Sequence, residues 1–438
     1  MSTAVRAVRA ALACALAVPV VALAQERPLV VRGARILPIA GPPIERGILV
    51  ARGGKIVAVG AEGAVAVPEG AEIVEAAGKV ILPGLVDTHS HVGEGDGGDR
   101  SEPIQGDVRI LDAIDPTSDG FRRALAGGIT TVNVMPGSGH LMSGQTAYLK
   151  LRRGRTIADL LFCRDVLAEV CGGLKMANGT NPRGESPWPG TRAKSAAMVR
   201  ERFVKAVEYR AKLRAAATDS TKRPERDLEL EILVEALDGK RVVHHHTHRH
   251  DDILTVLRLQ REFGFRLVLH HVSEGWKVAR EIAAAGVPAS VIVIDAPGGK
   301  LEAVDLSLRT GAILDEAGVL VGFHSDDWIT DSRLFLRSAA LAVRAGMDPD
   351  KALQALTMAG ARMLDLGDRV GSLEPGKDAD FVVLSGDPFA LATRVEQTWV
   401  EGRKVFDLSD PDDRPYAVGG WRAVRDAPFD HHEGMEGH

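Results

Sequence analysis

Cysteine is rare in this sequence, and so are long apolar runs and blocks of like charge. Three cysteines in 438 residues exclude a small fold held together by disulfides, and Cys163 and Cys171 are left either as two free thiols or as one bridge. A formal net charge of −5 without long runs of one sign argues against nucleic acid as a partner. With 45% apolar and 26% charged residues, the composition is that of an ordinary globular protein with one large domain and a smaller part.

The longest apolar run lies near the N-terminus, between about residues 10 and 21. Arg6 and Arg9 precede it, and Ala22-Leu23-Ala24 follows with the small-x-small pattern of a cleavage site. The run is shorter than the ~20 residues of a spanning helix, so a membrane anchor is the less favoured interpretation. The sequence predicts that residues 1–24 are a signal peptide and that the cleaved protein is secreted or periplasmic, without a membrane partner.

Two kinds of pattern divide the rest of the chain. Short β-rich runs separated by Gly and Pro fill residues 25–83, and similar runs return in 367–407, where Glu401-Gly402 predicts a hairpin turn. Residues 84–366 alternate short apolar strands with helical stretches, which predicts a parallel TIM-type barrel with helices outside. The barrel strands are predicted at 129–134, 173–176, 241–246, 266–271, 289–294 and 319–324, and helices at 118–126, 253–263, 276–285 and 350–361.

Two further segments depart from this alternation. Residues 178–240 hold a Pro/Gly-rich loop, a basic amphipathic helix and a polar link, and they are predicted to be an insertion above the barrel. A solvated helical hairpin without substrate contact is the alternative for this segment. The tail, 408–438, is rich in Asp, Pro and Gly and is predicted to be loosely ordered.

The strongest chemical signal is an apolar strand that follows a Pro-Gly turn and ends in His89-Ser90-His91. Residues i and i+2 of a strand point to the same side, so the two imidazoles can bind one metal ion. A His-x-His alone arises often by chance, but its place at the end of an apolar strand makes the motif specific.

With this motif, the sequence resembles the amidohydrolase superfamily, specifically its imidazolonepropionase-like branch, which includes Xaa-Arg/Lys dipeptidases. The segments Lys377-Asp378-Ala379-Asp380-Phe381-Val382-Val383-Leu384 and Val400-Glu401-Gly402-Arg403-Lys404-Val405 resemble that family's returning sheet. The resemblance covers nearly the whole mature chain. It implies an α/β fold, a TIM-type (β/α)8 barrel with a small discontinuous β-sandwich domain formed by the N- and C-terminal segments.

The resemblance also implies a set of metal ligands: His89, His91, Lys175, His246, His271 and Asp326. Lys175 resembles a lysine that is carboxylated to bridge two metals. The role requires this modification, because an unmodified ammonium cannot ligate a cation. A surface or ion-paired lysine is the alternative. The five histidines between 244 and 250 could instead form a loose metal-sequestering cluster. Strand alternation lets only one of His270 and His271 face inward, and the resemblance favours His271, which leaves His270 outside or behind the ligands.

Asp326 is implied as ligand and general base, with Asp327 the competing carboxylate, and His248 is implied as a catalytic group near the substrate. Gln145, Asp327 and Trp328 are the candidate substrate contacts. Arg183, Arg249 and Lys300 are candidates for binding a carboxylate, although each could be structural.

The implied function is a hydrolase that cleaves an amide C–N bond in a small peptide, an N-acyl amino acid or a cyclic amide by metal-activated hydroxide. The cofactors expected are two divalent metal ions, with zinc favoured, and carbon dioxide as a carbamate on Lys175. A mononuclear deaminase and a non-catalytic metal-binding protein are the alternatives. The substrate is expected to be a small molecule and the protein a homo-oligomer.

Overall fold

A computed structural model describes residues 27–93, 98–99, 101–293, 300–327 and 329–419. The predicted signal peptide lies outside these residues. Among the helices in the described ranges, none combines the length and the apolar character needed to cross a membrane.

The N-terminal part of the chain is built of strands, as the β-rich runs predict. Turns with glycine at positive φ separate several of them, for example Gly53 and Gly54, at φ 57° and 77° between the second and third strands. The strands are β1 (Leu29–Ile36), β2 (Ile44–Arg52), β3 (Lys55–Ala61), β4 (Glu72–Glu75), β5 (Val80–Pro83) and β6 (Leu85–Ser90).

The central part alternates strands and helices. Its parallel strands are runs of buried residues, as expected for strands covered on both faces. In order, the elements are α1 (Asp119–Ala126), β7 (Ile129–Val134), β8 (Met142–Gln145), β9 (Ala147–Lys150), α2 (Ile157–Leu160), β10 (Leu174–Ala177), α3 (Arg192–Ala216), α4 (Leu228–Leu237), β11 (Val243–Thr247), α5 (His250–Phe263), β12 (Leu267–His271), α6 (Ala279–Ala284), β13 (Ala289–Ile292), α7 (Thr310–Glu316), β14 (Val321–His324), α8 (Leu336–Arg344), α9 (Pro349–Ala355) and α10 (Met358–Met363).

The chain then returns to strands β15 (Phe381–Leu384), β16 (Val395–Val400) and β17 (Arg403–Asp407), followed by α11 (Arg414–Val418). β15 pairs antiparallel with β5, so both ends of the chain share one sheet with the order β17-β16-β15-β5-β1-β2-β3, and β4 pairs with β1. The turn between β16 and β17 is the predicted one, with φ 50° at Glu401 and 71° at Gly402, the conformation of a tight hairpin turn.

The central strands form two further sheets. One has the order β14-β13-β12-β11-β10-β8, in which β10 to β14 run parallel, and the other has the order β6-β7-β9. The two sheets meet where the backbone amide of Asp326 donates to the carbonyl of His89 at 2.9 Å. The mixed α/β class is confirmed, whereas a closed barrel and a β-sandwich stay predictions.

Three predicted elements are corrected. The helix predicted at 276–285 is a 3-10 helix, Gly275–Lys277, followed by the separate helix α6. The predicted helix 350–361 is two helices, α9 and α10, because Thr357 between them leaves helical geometry with φ −135° and ψ −94°. The start of the tail is ordered rather than loose: α11 buries Tyr416, and the Arg122 guanidinium donates to the Tyr416 hydroxyl at 2.9 Å. Residues 420–438 lie outside the described ranges.

The helix predicted within the insertion begins at Arg192, because the Thr191 side chain accepts from the Lys194 amide and caps it. This helix, α3, packs on α5 and the segment after it: the ring of Phe203 stacks at 5.0 Å on Phe263 and 5.1 Å on Phe265. The helix therefore covers the flank of the parallel sheet.

Candidate metal centre

Histidines from four strands converge where the parallel strands end. His89 is the second-last residue of β6, and His246 lies on β11. His271 is the last residue of β12, and His324 is the last residue of β14. Parallel strands bring their carboxyl ends to one edge, so residues far apart in sequence meet there. All four side chains are buried.

One group of imidazoles contains His246, His248 and His271. The ring centroids of His246 and His271 lie 4.3 Å apart, and those of His248 and His271 lie 4.8 Å apart. Candidate ligand atoms of the three residues lie within 4.8 Å of one another. Buried neutral imidazoles that converge in this way can supply nitrogen ligands to a zinc ion.

A second group surrounds Asp326. Its Oδ1 lies 3.3 Å from His89 Nε2 and 3.1 Å from His91 Nε2, and its Oδ2 lies 3.9 Å from His271 Nδ1. Burial raises the pKa of this carboxyl, but the hydrogen bond to His91 and the nearby charges outweigh it and hold the pKa well below its usual value. Asp326 is therefore an ionised acceptor at neutral pH.

Lys175 lies beside this second group, fully buried on β10. Its Nζ is 3.0 Å from His89 Nε2 and donates to Met135 Sδ at 3.1 Å. Burial lowers the pKa of Lys175 to about 7. An amine that is substantially neutral at physiological pH has a free electron pair, which carbamate formation with carbon dioxide requires.

The prediction that only one of His270 and His271 faces inward is wrong. Both are buried, and of the two positions left open for His270, outside or behind the ligands, the structure agrees with the second. Its Nε2 lies 2.9 Å from His244 Nδ1, and its ring lies 5.1 Å from that of His89. His271 has φ 69° and Val272 has φ 48°, so strand alternation ends at this point and the chain turns the second imidazole to the same side as the first.

A deeper polar layer lies behind these ligands, and the sequence reasoning missed it. His324 Nδ1 lies 2.8 Å from Ser290 Oγ and its Nε2 lies 3.2 Å from His271 Nδ1. Tyr148 Oη lies 2.8 Å from His244 Nε2 and extends the same layer. His324 precedes Asp326 by two positions at the end of an apolar strand, and that spacing was the signal that could have identified it.

The two neighbouring carboxylates are separated by the backbone. β14 ends at His324, and Asp326 takes φ 50°, so strand alternation does not extend to either acid. Asp327 is buried away from the histidines and accepts from the Ser332 hydroxyl at 2.6 Å. Of the two, the structure brings only Asp326 to the histidines.

The other candidate substrate contacts lie elsewhere. Gln145 ends β8 opposite Leu174, the first residue of β10, and its side-chain amide donates to the carbonyl of Asp107 at 3.3 Å. The structure does not bring it to the histidine groups. Trp328 lies outside the described residues. The roles of Gln145, Asp327 and Trp328 stay predictions.

The donor set fits a metal ion. Within the described chain, both ring nitrogens of His246, Nε2 of His248 and of His271, and Nδ1 of His89 are buried without a hydrogen-bond partner. Buried polar atoms are nearly always satisfied, so a cluster of free imidazole nitrogens points to a ligand. Imidazole with carboxylate is a donor set that suits zinc and related divalent ions.

Comparison with known proteins agrees with this geometry. Residues 193–405 match the sequence profile of the amidohydrolase family. The crystal structure of an amidohydrolase from Thermotoga maritima MSB8 is 34% identical, covers 86% of this chain and 100% of its own, and superimposes with a TM-score of 0.80. The chain belongs to the amidohydrolase family.

Two curated relatives of this amidohydrolase have different names and cover different shares of the chain. Amidohydrolase tasK of Hapsidospora irregularis is 28% identical over 399 residues, which is 83% of this chain but 40% of tasK, so the chain spans less than half of that relative. Adenine deaminase 2 of Jannaschia sp. (strain CCS1) is 40% identical over 67 residues, 15% of this chain and 10% of its own. The imidazolonepropionase-like branch stays a prediction.

Proposed function

We propose that this amidohydrolase is a metal-dependent hydrolase that cleaves an amide C–N bond in a small molecule. The observation that carries the proposal is the set of buried, unpartnered imidazole nitrogens beside an ionised Asp326. Structural histidines in a core would be hydrogen-bonded, and a loose metal-sequestering cluster would be exposed. Lys175 lies against His89, with Nζ 3.0 Å from Nε2, and completes the set of donors.

The proposed ligands are His89, His91, Lys175 as a carbamate, His246, His271 and Asp326, and they would hold two divalent ions, zinc being the first to test. Six ligands exceed the four that one tetrahedral zinc takes. When bound, such ions polarise a carbonyl group and lower the pKa of water toward neutrality.

The chain's own groups supply the proton transfers. Asp326 is ionised and partly accessible, with 18% of its side chain exposed, so it can take a proton from the attacking water and pass it to the leaving nitrogen. His248 keeps Nε2 free while its Nδ1 lies 2.7 Å from Ser273 Oγ. If the serine hydroxyl donates to Nδ1, the Nε2 proton points outward and can stabilise an oxyanion.

The architecture proposed with this function is the (β/α)8 barrel of the family, with the shared sheet of both chain ends as its discontinuous β-sandwich domain. Backbone hydrogen bonds between the two central sheets support closure. The backbone amide of Thr146, just before β9, donates to the carbonyl of Gly173 at 2.9 Å. The backbone amide of Tyr148, within β9, donates to the carbonyl of Cys171 at 3.0 Å, and both acceptors lie just before β10. On the other side, Asp326 donates to His89.

Metal content and Lys175 together test the proposal. Protein reconstituted with zinc and bicarbonate is expected to hold about two ions per chain, and Lys175→Ala is expected to lose one of them and most turnover of an amide library. Propionate should partly restore the variant because it replaces the carbamate oxygens, and propionamide, its neutral match, should not.

Wild-type zinc content and turnover in Lys175→Ala would contradict the carbamate and favour a mononuclear deaminase, which release of ammonia from aminopurines would then detect. Two bound ions without turnover of any amide or aminopurine would favour a non-catalytic metal-binding protein.

We also propose that the protein is exported and assembles as a homo-oligomer. The N-terminal charge and apolar pattern supports export, and so does the disulfide between Cys163 and Cys171, since such bonds persist in oxidising compartments. Fusing residues 1–30 to a reporter that is active only outside the cytoplasm tests export, and light scattering of the purified chain tests assembly.

A further inference from the structure

Lys300 lies between β13 and a short 3-10 helix (Leu301–Ala303). The last residue of β13, Ile292, pairs with His324 at the carboxyl end of the parallel sheet. The Lys300 side chain is partly buried, and Nζ donates to the side-chain oxygen of Asn181 at 3.1 Å. Asn181 belongs to the loop after β10, and in the same loop the backbone amide of Asn178 donates to the carbonyl of His246 at 3.2 Å. The ammonium and the candidate ligands therefore lie at the same edge of the parallel sheet.

The position of this ammonium is fixed by the segments on either side. Glu302, two residues along, is buried and accepts from the backbone amide of Thr180 at 2.7 Å, which ties the loop after β10 to the 3-10 helix. Arg192 approaches the same Glu302 oxygen at 3.7 Å. The nearest acid in the sequence is therefore engaged elsewhere, and Asn181 is held where it can accept from Lys300.

Lys300 differs from the other two basic candidates. Arg183 is exposed, and Arg249 forms an ion pair with Asp251 at 2.8 Å. Among the described residues, Lys300 has a neutral amide as its hydrogen-bond partner and no ion pair. The carboxylates of Asp326 and Glu302 act on Lys300 from a distance but form no ion pair with it in the described structure. Withdrawing an ammonium from water without a paired anion is unfavourable, so this position suits an anion that arrives with a ligand.

We propose that Lys300 binds a carboxylate of the substrate. The substrate would then be an N-acyl amino acid or a short peptide whose free carboxylate lies close to the scissile amide, rather than a neutral cyclic amide. This inference rests on the proposed hydrolase function for the nature of the bond that is cleaved, but binding of the carboxylate can be measured without turnover.

The test uses the zinc-loaded full chain and two probes that differ in one group, N-benzoylglycine and its neutral amide. Calorimetric titration of the wild type is expected to show about 10- to 100-fold tighter binding of the carboxylate, the usual effect of a hydrogen bond to a charged group. Lys300→Gln should bring the two affinities together, and Lys300→Arg should keep most of the preference.

Lys277→Gln is the matched control, since it removes a lysine that already has two carboxylate partners, Glu274 at 3.1 Å and Asp305 at 2.5 Å. It should leave the preference unchanged. For any N-acyl amino acid that is hydrolysed, Lys300→Gln should raise KM and change kcat little.

A carboxylate preference that survives Lys300→Gln, or equal binding of both probes by the wild type, would overturn the inference. Carboxylate binding that depends on Lys300, together with no hydrolysis of any amide, would support the anion site and contradict the proposed hydrolase function.

Discussion

The buried charge cluster between the central strands and the returning segment allows a stability prediction to be worked from the structure. Lys150, at the end of β9, is fully buried and forms ion pairs with Asp378 and, at 2.9 Å, with Asp380. Both carboxylates are also buried, with 1% and 2% of their side chains exposed. Lys150→Met would remove the central cation and leave both acids in place.

Breaking a buried ion pair usually costs about 3–5 kcal/mol of stability, and we expect a loss of about 3 kcal/mol here. Asp378 would keep two cations, Lys55 at 2.5 Å and Arg369 at 2.8 Å, so the loss falls mainly on Asp380. In urea at 25 °C, this loss lowers the unfolding midpoint by about 1 M for a slope near 3 kcal/mol/M.

Two further variants make the reasoning refutable. Lys55 also pairs with Asp378, but 48% of the Lys55 side chain is exposed. Lys55→Met should therefore cost less than about 1 kcal/mol of stability. Lys150→Met combined with Asp380→Asn should recover most of the loss, because no unpaired charge stays buried there. Equal losses for Lys150→Met and Lys55→Met, or no recovery in the double variant, would refute the argument.

Three other predictions concern the two neighbouring carboxylates, one glutamate and the disulfide. Asp326→Asn should lower kcat by about 10²-fold or more. Asp327→Asn changes a side chain that accepts from Ser332 rather than from the histidines, and it should change kcat far less. Steady-state kinetics compare the two variants, and a larger loss for Asp327→Asn would reverse the assignment. Burial raises the pKa of Glu229 to about 7, above its unfolded value, so the stability it contributes is present below pH 4.5 and lost as the pH rises to 7. The free energy of unfolding of Glu229→Gln, measured in urea relative to wild type, should therefore be higher at pH 8 than at pH 5 by on the order of 1 kcal/mol. A difference between variant and wild type that does not change with pH would contradict this. Cys163 and Cys171, eight positions apart, should be unreactive toward thiol reagents in unfolded protein until it is reduced, and reduction should cost about 2–3 kcal/mol; two reactive thiols in unreduced exported protein would contradict the bridge.

Much of the fold could be predicted because its strands carry strong local signals. The strand Ile129–Val134 has the predicted bounds, and the other predicted central strands differ from the observed ones by a few residues at their ends. Strands buried on both faces are continuous apolar runs, and these are easy to locate between turns. The single helix predicted over 350–361 failed because the break at Thr357 carries neither glycine nor proline, the usual signals of a helix end.

The candidate site was harder to predict than the fold, since its side-chain directions depend on where each strand stops. Strand alternation puts His246 and His248 on one face, and their rings lie 4.7 Å apart. It failed for His270 and His271, because the alternation ends inside the pair. No local sequence pattern predicts where this strand ends, because histidine can adopt both the extended and the left-handed conformation.

The strained residues themselves add an argument about the site. His271 and Asp326 both take left-handed φ values, 69° and 50°, which non-glycine side chains adopt at a cost. Each stands just after or at the end of a buried parallel strand, and each turns a polar side chain toward the same point, where buried nitrogens lack partners. Strained non-glycine residues cluster at binding and active sites, and buried polar atoms without partners also point to a ligand. Backbone strain and missing hydrogen bonds within the described residues therefore indicate the same candidate metal centre.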